Sequence, residues 1–139
     1  MNFHLAAVMP LIAVGMALSL STNAQAEEID CANAANTVEM NFCADKDYQA
    51  ADKELNRAFG TALAYVKTRD DEKPYDAKSF EDALRNAQRA WVAYRDADCK
   101  DLIAQEWSGG TGTTAASLGC MTEKTIQRTK ELKERYGEH

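Results

Sequence analysis

Histidine is almost missing from this sequence: it occurs at His4 and at the last position, His139. A domain folded between them has no imidazole for a Ser–His or Cys–His pair, and none for a histidine-ligated zinc site in its core. Proline is as scarce, with only Pro10 and Pro74. Strand-type alternation of polar and apolar residues is absent, which turns the reading away from β-sheet. Basic residues are in the minority, 16 against 22 acidic ones, for a formal charge of −6. An acidic chain is not expected to bind nucleic acid or an anionic membrane as its main task. It would attract a cationic partner, although mild acidity also keeps an exported protein soluble.

Residues 1–26 contain no Lys, Arg, Asp or Glu. The nearly apolar run Leu5–Leu20 is followed by Ala24-Gln25-Ala26, a small-x-small cleavage site, and then by Glu27-Glu28. This pattern predicts a cleaved signal peptide over 1–26, despite an n-region without Lys or Arg. The alternative, a membrane anchor, would need about 20 apolar residues, more than this run supplies. The remaining chain, 27–139, is the length of one domain with a modest core and has no expected membrane span.

Helical periodicity dominates that domain. A first helix is expected from Thr37 as N-cap, with Glu39 in its first turn and an apolar stripe of Tyr48, Ala51, Leu55, Phe59, Leu63 and Val66. Asp70–Pro74 should break it. A second helix is expected to open at Ser79, with Asp82 completing a capping box. Its stripe is Phe80, Leu84, Ala87, Trp91, Tyr94, Asp98 and Leu102. Trp107–Thr114, with Gly109, Gly110 and Gly112, reads as a flexible helix-ending loop. A third helix should run from about Ala115 to Tyr136, through Leu118, Met121, Thr125 and Leu132, and stop at Gly137. The expected fold is all-α, a small antiparallel three-helix bundle.

Cys31, Cys43, Cys99 and Cys120 follow the export signal, and an even count in an oxidising compartment predicts disulfides. Three pairings are possible. The local one, Cys31–Cys43 with Cys99–Cys120, is preferred because both links are short. It would leave no thiolate for catalysis.

Other chemistries find little support. Gly109–Thr114 lacks the Lys of a phosphate-binding loop and has no strand before it. Asp45-Lys46-Asp47 lacks the glycine and distal Glu of a calcium loop. The many carboxylates fall at helical spacings with partners such as Asp96–Lys100, which fits solvated faces better than a glycosidase pair. No catalytic residue, metal or cofactor is expected. The densest segment is Trp91–Cys99. In one reading Trp91 and Tyr94 are core, Arg95 makes an internal ion pair, and Asp98 caps or pairs. In the other, Trp91, Tyr94, Arg95 and Asp96 reach a protein partner, since Trp, Tyr and Arg carry interface energy.

Cys31, Thr37-Val38-Glu39-Met40-Asn41-Phe42-Cys43 and Tyr48-x-x-Ala51-Asp52-x-x-Leu55-Asn56 resemble the opening of the LprI-type domain. Ala87-Gln88-Arg89-Ala90-Trp91-x-x-Tyr94-Arg95-Asp96-Ala97-x-Cys99, the Gly109-Gly110 loop and Cys120 resemble its second half. The resemblance implies an exported bacterial helical domain over 27–139 with paired cysteines, in a family whose named member is a lysozyme inhibitor. It supplies no catalytic residues. This chain lacks the lipobox of that member, which favours a periplasmic or secreted protein over a surface-anchored one.

The function expected is inhibition of lysozyme or a related peptidoglycan-cleaving enzyme. Ser108, Gly109, Gly110, Thr111 and Thr113 are candidate contacts in one version, and the Trp91–Asp96 face in the other. An envelope adaptor without inhibitory activity is the alternative.

Overall fold

A computed structural model describes residues 29–137; the signal peptide expected over 1–26 lies outside them. The described residues form helices α1 (Thr37–Lys67), α2 (Ala77–Asp96), α3 (Ile103–Glu106) and α4 (Thr113–Tyr136). A π-helical turn, Ala97–Leu102, joins α2 to α3, so these three pieces form one continuous arm. The fold is all-α with three long helical stretches, as expected from the periodicity.

Each helix start shows which residue wins as cap. Asn36, not Thr37, caps α1: its Oδ1 accepts from the Glu39 N–H at 3.0 Å, and Glu39 Oε2 accepts from the Ala35 N–H at 2.7 Å. That second bond holds the exposed Glu39 carboxyl below its usual pKa. Asp76, not Ser79, caps α2, accepting from the Ser79 N–H at 2.9 Å. The ionised carboxylate is the stronger acceptor for the free N–H groups of a first turn. Asp82 makes no cap and pairs with Lys78 instead. α4 begins at Thr113, two residues before the expected start, and ends where the Gly137 N–H reaches the Lys133 carbonyl.

The arm formed by α2 runs antiparallel to α1 and α4. Phe80 meets Tyr136, Gln88 meets Arg128, and Cys99 is bonded to Cys120, so α2 descends as α4 rises. α1 and α4 run parallel, and theirs is the most extensive helix–helix interface. It is built on small residues: Ala51, Ala58 and Ala62 on α1, with Thr125 and Thr129 on α4, are all buried. Short side chains let two helix axes approach closely. Leu55, Val66, Leu84 and Leu132 complete the core, with Phe59, Leu63, Phe80, Trp91 and Tyr136 packed around it.

The inward stripe of α2 differs from the expected one. Ala87, Tyr94 and Leu102 face solvent, while Phe80, Leu84, Gln88, Trp91, Arg95 and Cys99 face inward. Cys99 must face Cys120, and that bond sets the rotation of the whole arm. Both disulfides are closed as preferred, Cys31–Cys43 and Cys99–Cys120, with no free cysteine among the described residues.

Candidate functional site

Arg95 is the most buried charged side chain described, only 5 % exposed. Its guanidinium lies 5.2 Å from the Trp91 ring centroid and 5.5 Å from that of Tyr48. Nε and Nη2 donate to Asp96 Oδ1 at 3.0 and 2.8 Å, and Nη1 donates to Thr125 Oγ1 at 3.3 Å. Asp52 Oδ1 is 3.6 Å from Nη1. One cation thus ties all three long helices together, close to two aromatic rings and hydrogen-bonded to oxygens on two helices. Burial pushes the Tyr48 phenol pKa up. Burial also acts to raise the Asp96 carboxyl, but hydrogen bonds from Lys100 and Arg95 outweigh it and leave its pKa lowered.

The two readings of Trp91–Cys99 therefore divide residue by residue. Trp91 and Arg95 belong to the interior, and Asp96 is spent on Arg95 and Lys100. Tyr94 points out, with its hydroxyl accepting from Lys124 Nζ at 3.1 Å. Lys124 also pairs with Asp98 at 2.9 Å, and these contacts, Asp98 first and then Tyr94, raise its pKa. Of that set, Tyr94 offers the most surface.

The glycine loop is a run of hydrogen-bonded turns rather than a loosely tethered segment. The Gly109 N–H bonds to Ala104 O, Gly110 N–H to Trp107 O and Thr113 N–H to Gly110 O. Ser108 and Gly109 both take positive φ, 50° and 65°. The turn closes back on itself through Trp107, whose ring lies so near Gly112 that a Cβ there would sit 2.3 Å from it. Ser108, Gly109, Gly110 and Thr111 are exposed. Thr113 differs: its hydroxyl is buried without a hydrogen-bond partner among the described residues, so it faces the bundle.

Asp98, Cys99 and Cys120 also bring three potential metal donors together. Their chemistry does not suit a cation. The two sulfurs are bonded to each other, and the carboxylate is paired with Lys124. A groove of about 530 Å³ between α1 and α4, which the sequence reading did not anticipate, is lined by Asp47, Ala50, Glu54, Ile126 and Lys133 among others. It follows from the same small residues that bring the two helices close. Glu54 there is engaged by Arg57 and Lys133.

Residues 30–132 match the family described as lysozyme inhibitor LprI. The chain belongs to the LprI family. An uncharacterized protein of Rhizobium meliloti (strain 1021) is 37 % identical over 131 residues, covering 92 % of this chain and 94 % of that protein. The uncharacterized protein YecT of Escherichia coli (strain K12) is 30 % identical over 95 residues, 65 % of this chain and 58 % of its own length. No solved structure matches the chain at a significant level. Within this LprI domain the Trp-x-x-Tyr-Arg-Asp motif has a structural meaning: it supplies the aromatic face, cation and carboxylate of the central layer.

Proposed function

We propose that this LprI-family domain is an exported binding protein that inhibits a lysozyme or related peptidoglycan-cleaving enzyme. The match over residues 30–132 to a family described as lysozyme inhibitor carries this reading. The two closed disulfides support the periplasm or the exterior as its compartment. No helix among the described residues is long and apolar enough to cross a membrane.

The contact segment is the turn Ser108–Thr111. Its exposed hydroxyls can donate to a carboxylate or to sugar-binding groups in a cleft, and its bonded backbone lowers the ordering cost of binding. The Thr113 N–H closes this turn onto the Gly110 carbonyl, and Gly109 and Gly110 let it project. The test is a lysozyme turnover assay comparing the exported chain, 27–139, with a variant whose residues 108–111 are replaced by four alanines. The native chain should inhibit, and the variant should lose inhibition by about tenfold or more, the scale of one or two lost hydrogen bonds to a charged group. Equal inhibition by both would move the contact away from the turn. Recovery of a non-hydrolytic envelope partner, with no effect on turnover, would favour an adaptor.

A further inference from the structure

The Arg95 layer separates two ends of unlike charge. One end holds the start of α1, the π-helical turn with α3, the glycine loop and the first half of α4. The parallel run of α1 and α4 and the Cys99–Cys120 bond bring these segments to the same end. Residues 29–47 and 97–124 carry eight carboxylates and three lysines, a formal charge of −5. Residues 48–96 and 125–137 carry eleven carboxylates and thirteen Lys or Arg, a formal charge of +2. The acidic excess of the described chain is confined to one end. Two of that end's three lysines, Lys100 and Lys124, are held in ion pairs, whereas Asp47, Asp101 and Glu106 are in none among the described residues.

The same end differs in its apolar surface. Val38, Met40, Phe42, Leu102 and Trp107 are all at least 44 % exposed there. Elsewhere the large exposed hydrophobic side chains are Tyr65, Tyr75 and Tyr94, each with a hydroxyl, and Ile126. The gathering of large exposed apolar side chains at one end favours an interaction surface there. The charge decides the occupant. A second copy would bring −5 against −5, and an anionic membrane would be repelled in the same way. A cationic protein is attracted. Both disulfides lie at this end, so the surface is held in shape before binding.

We propose that this acidic end is the docking face for a cationic protein, with the glycine loop as one part of it. That the cationic protein is a lysozyme rests on the function proposed above; the surface itself does not. The test measures binding of a cationic lysozyme and of cytochrome c to the exported chain at low salt. It compares D101K/E106K, at this end, with D70K/E72K, in the α1–α2 connection at the other. Both pairs change net charge equally, so a difference reads position. D101K/E106K should weaken lysozyme binding by about tenfold or more and D70K/E72K by less than about twofold. The milder D101N/E106Q should fall between, which guards against a folding defect in the reversal. Equal losses in the two reversals, or no binding of either cationic protein by the native chain, would overturn the proposal. Inhibited turnover with no change in D101K/E106K would sink this surface and leave the lysozyme reading standing. Position-dependent binding without inhibition would do the opposite.

Discussion

Replacing Arg95 with Met should lower the unfolding free energy by about 3 kcal/mol, measured by denaturant titration or thermal melting. Arg95 is buried at 5 % exposure and touches every long helix through Asp52, Trp91, Tyr48 and Thr125. The substitution removes two cation–π contacts and leaves the Thr125 hydroxyl, in a fully buried residue, without that donor. The loss stays near the low end for a buried ion pair because Asp52 and Asp96 keep roughly a third or more of their side-chain surface and rehydrate. For a domain of this size the melting temperature should fall by about 10–20 °C. Lys at the same position should rescue little, since a single ammonium cannot stay near both rings while donating to Asp96 and Thr125 as the guanidinium does. Tyr94→Ala, one residue away but outward, should cost less than about 1 kcal/mol. Similar losses for R95M and Y94A would mean that Arg95 does not join the helices.

Removal of both disulfides should have the larger effect. The bridges close loops of sequence separation 12 and 21. In the loop-entropy treatment each restricts the unfolded chain by about 3 kcal/mol. A domain this small has a total stability of only about 5–10 kcal/mol. The fully reduced chain should therefore be largely unfolded at 37 °C, seen as loss of far-UV helical signal on adding a thiol reductant. C99A/C120A should lose about 3 kcal/mol and should also weaken binding, because that bridge spans the arm carrying the glycine loop. C31A/C43A should lose a comparable amount through the start of α1. A reduced chain that kept its full helical signal at 37 °C would show that the core suffices without staples.

The helical register was readable from the sequence where hydrophobicity alone decides it. Ala51, Leu55 and Val66 on α1, and Met121, Thr125 and Leu132 on α4, are buried as the periodicity implies. On α2 the periodicity points to Ala87 and Tyr94, whereas the inward positions one residue later are Gln88 and Arg95. A polar residue faces inward only when partners on other helices are waiting for it, and Tyr48, Asp52 and Thr125 are far away in sequence. The N-caps of α1 and α2 lie one and three residues before the expected ones for a local reason: Asn36 and Asp76 outcompete the hydroxyl residues behind them as acceptors. Of the proposed contacts, Ser108 and Thr111 were legible as polar residues in a glycine turn. The inward Thr113 hydroxyl was not, since its direction depends on where α4 begins. The charge difference between the two ends was hidden for a different reason. It appears only once the segments 29–47 and 97–124 are known to share an end.

If an acidic, disulfide-held LprI domain inhibits a cationic lysozyme, the inhibition should depend on salt. Inhibition of lysozyme turnover by the exported chain, 27–139, measured at about 20 mM and about 300 mM salt, tests it most directly. Inhibition should be present at low salt and weaken by about tenfold or more at high salt, as screening cuts the attraction between unlike charges. No inhibition at low salt, or inhibition indifferent to salt, would contradict it.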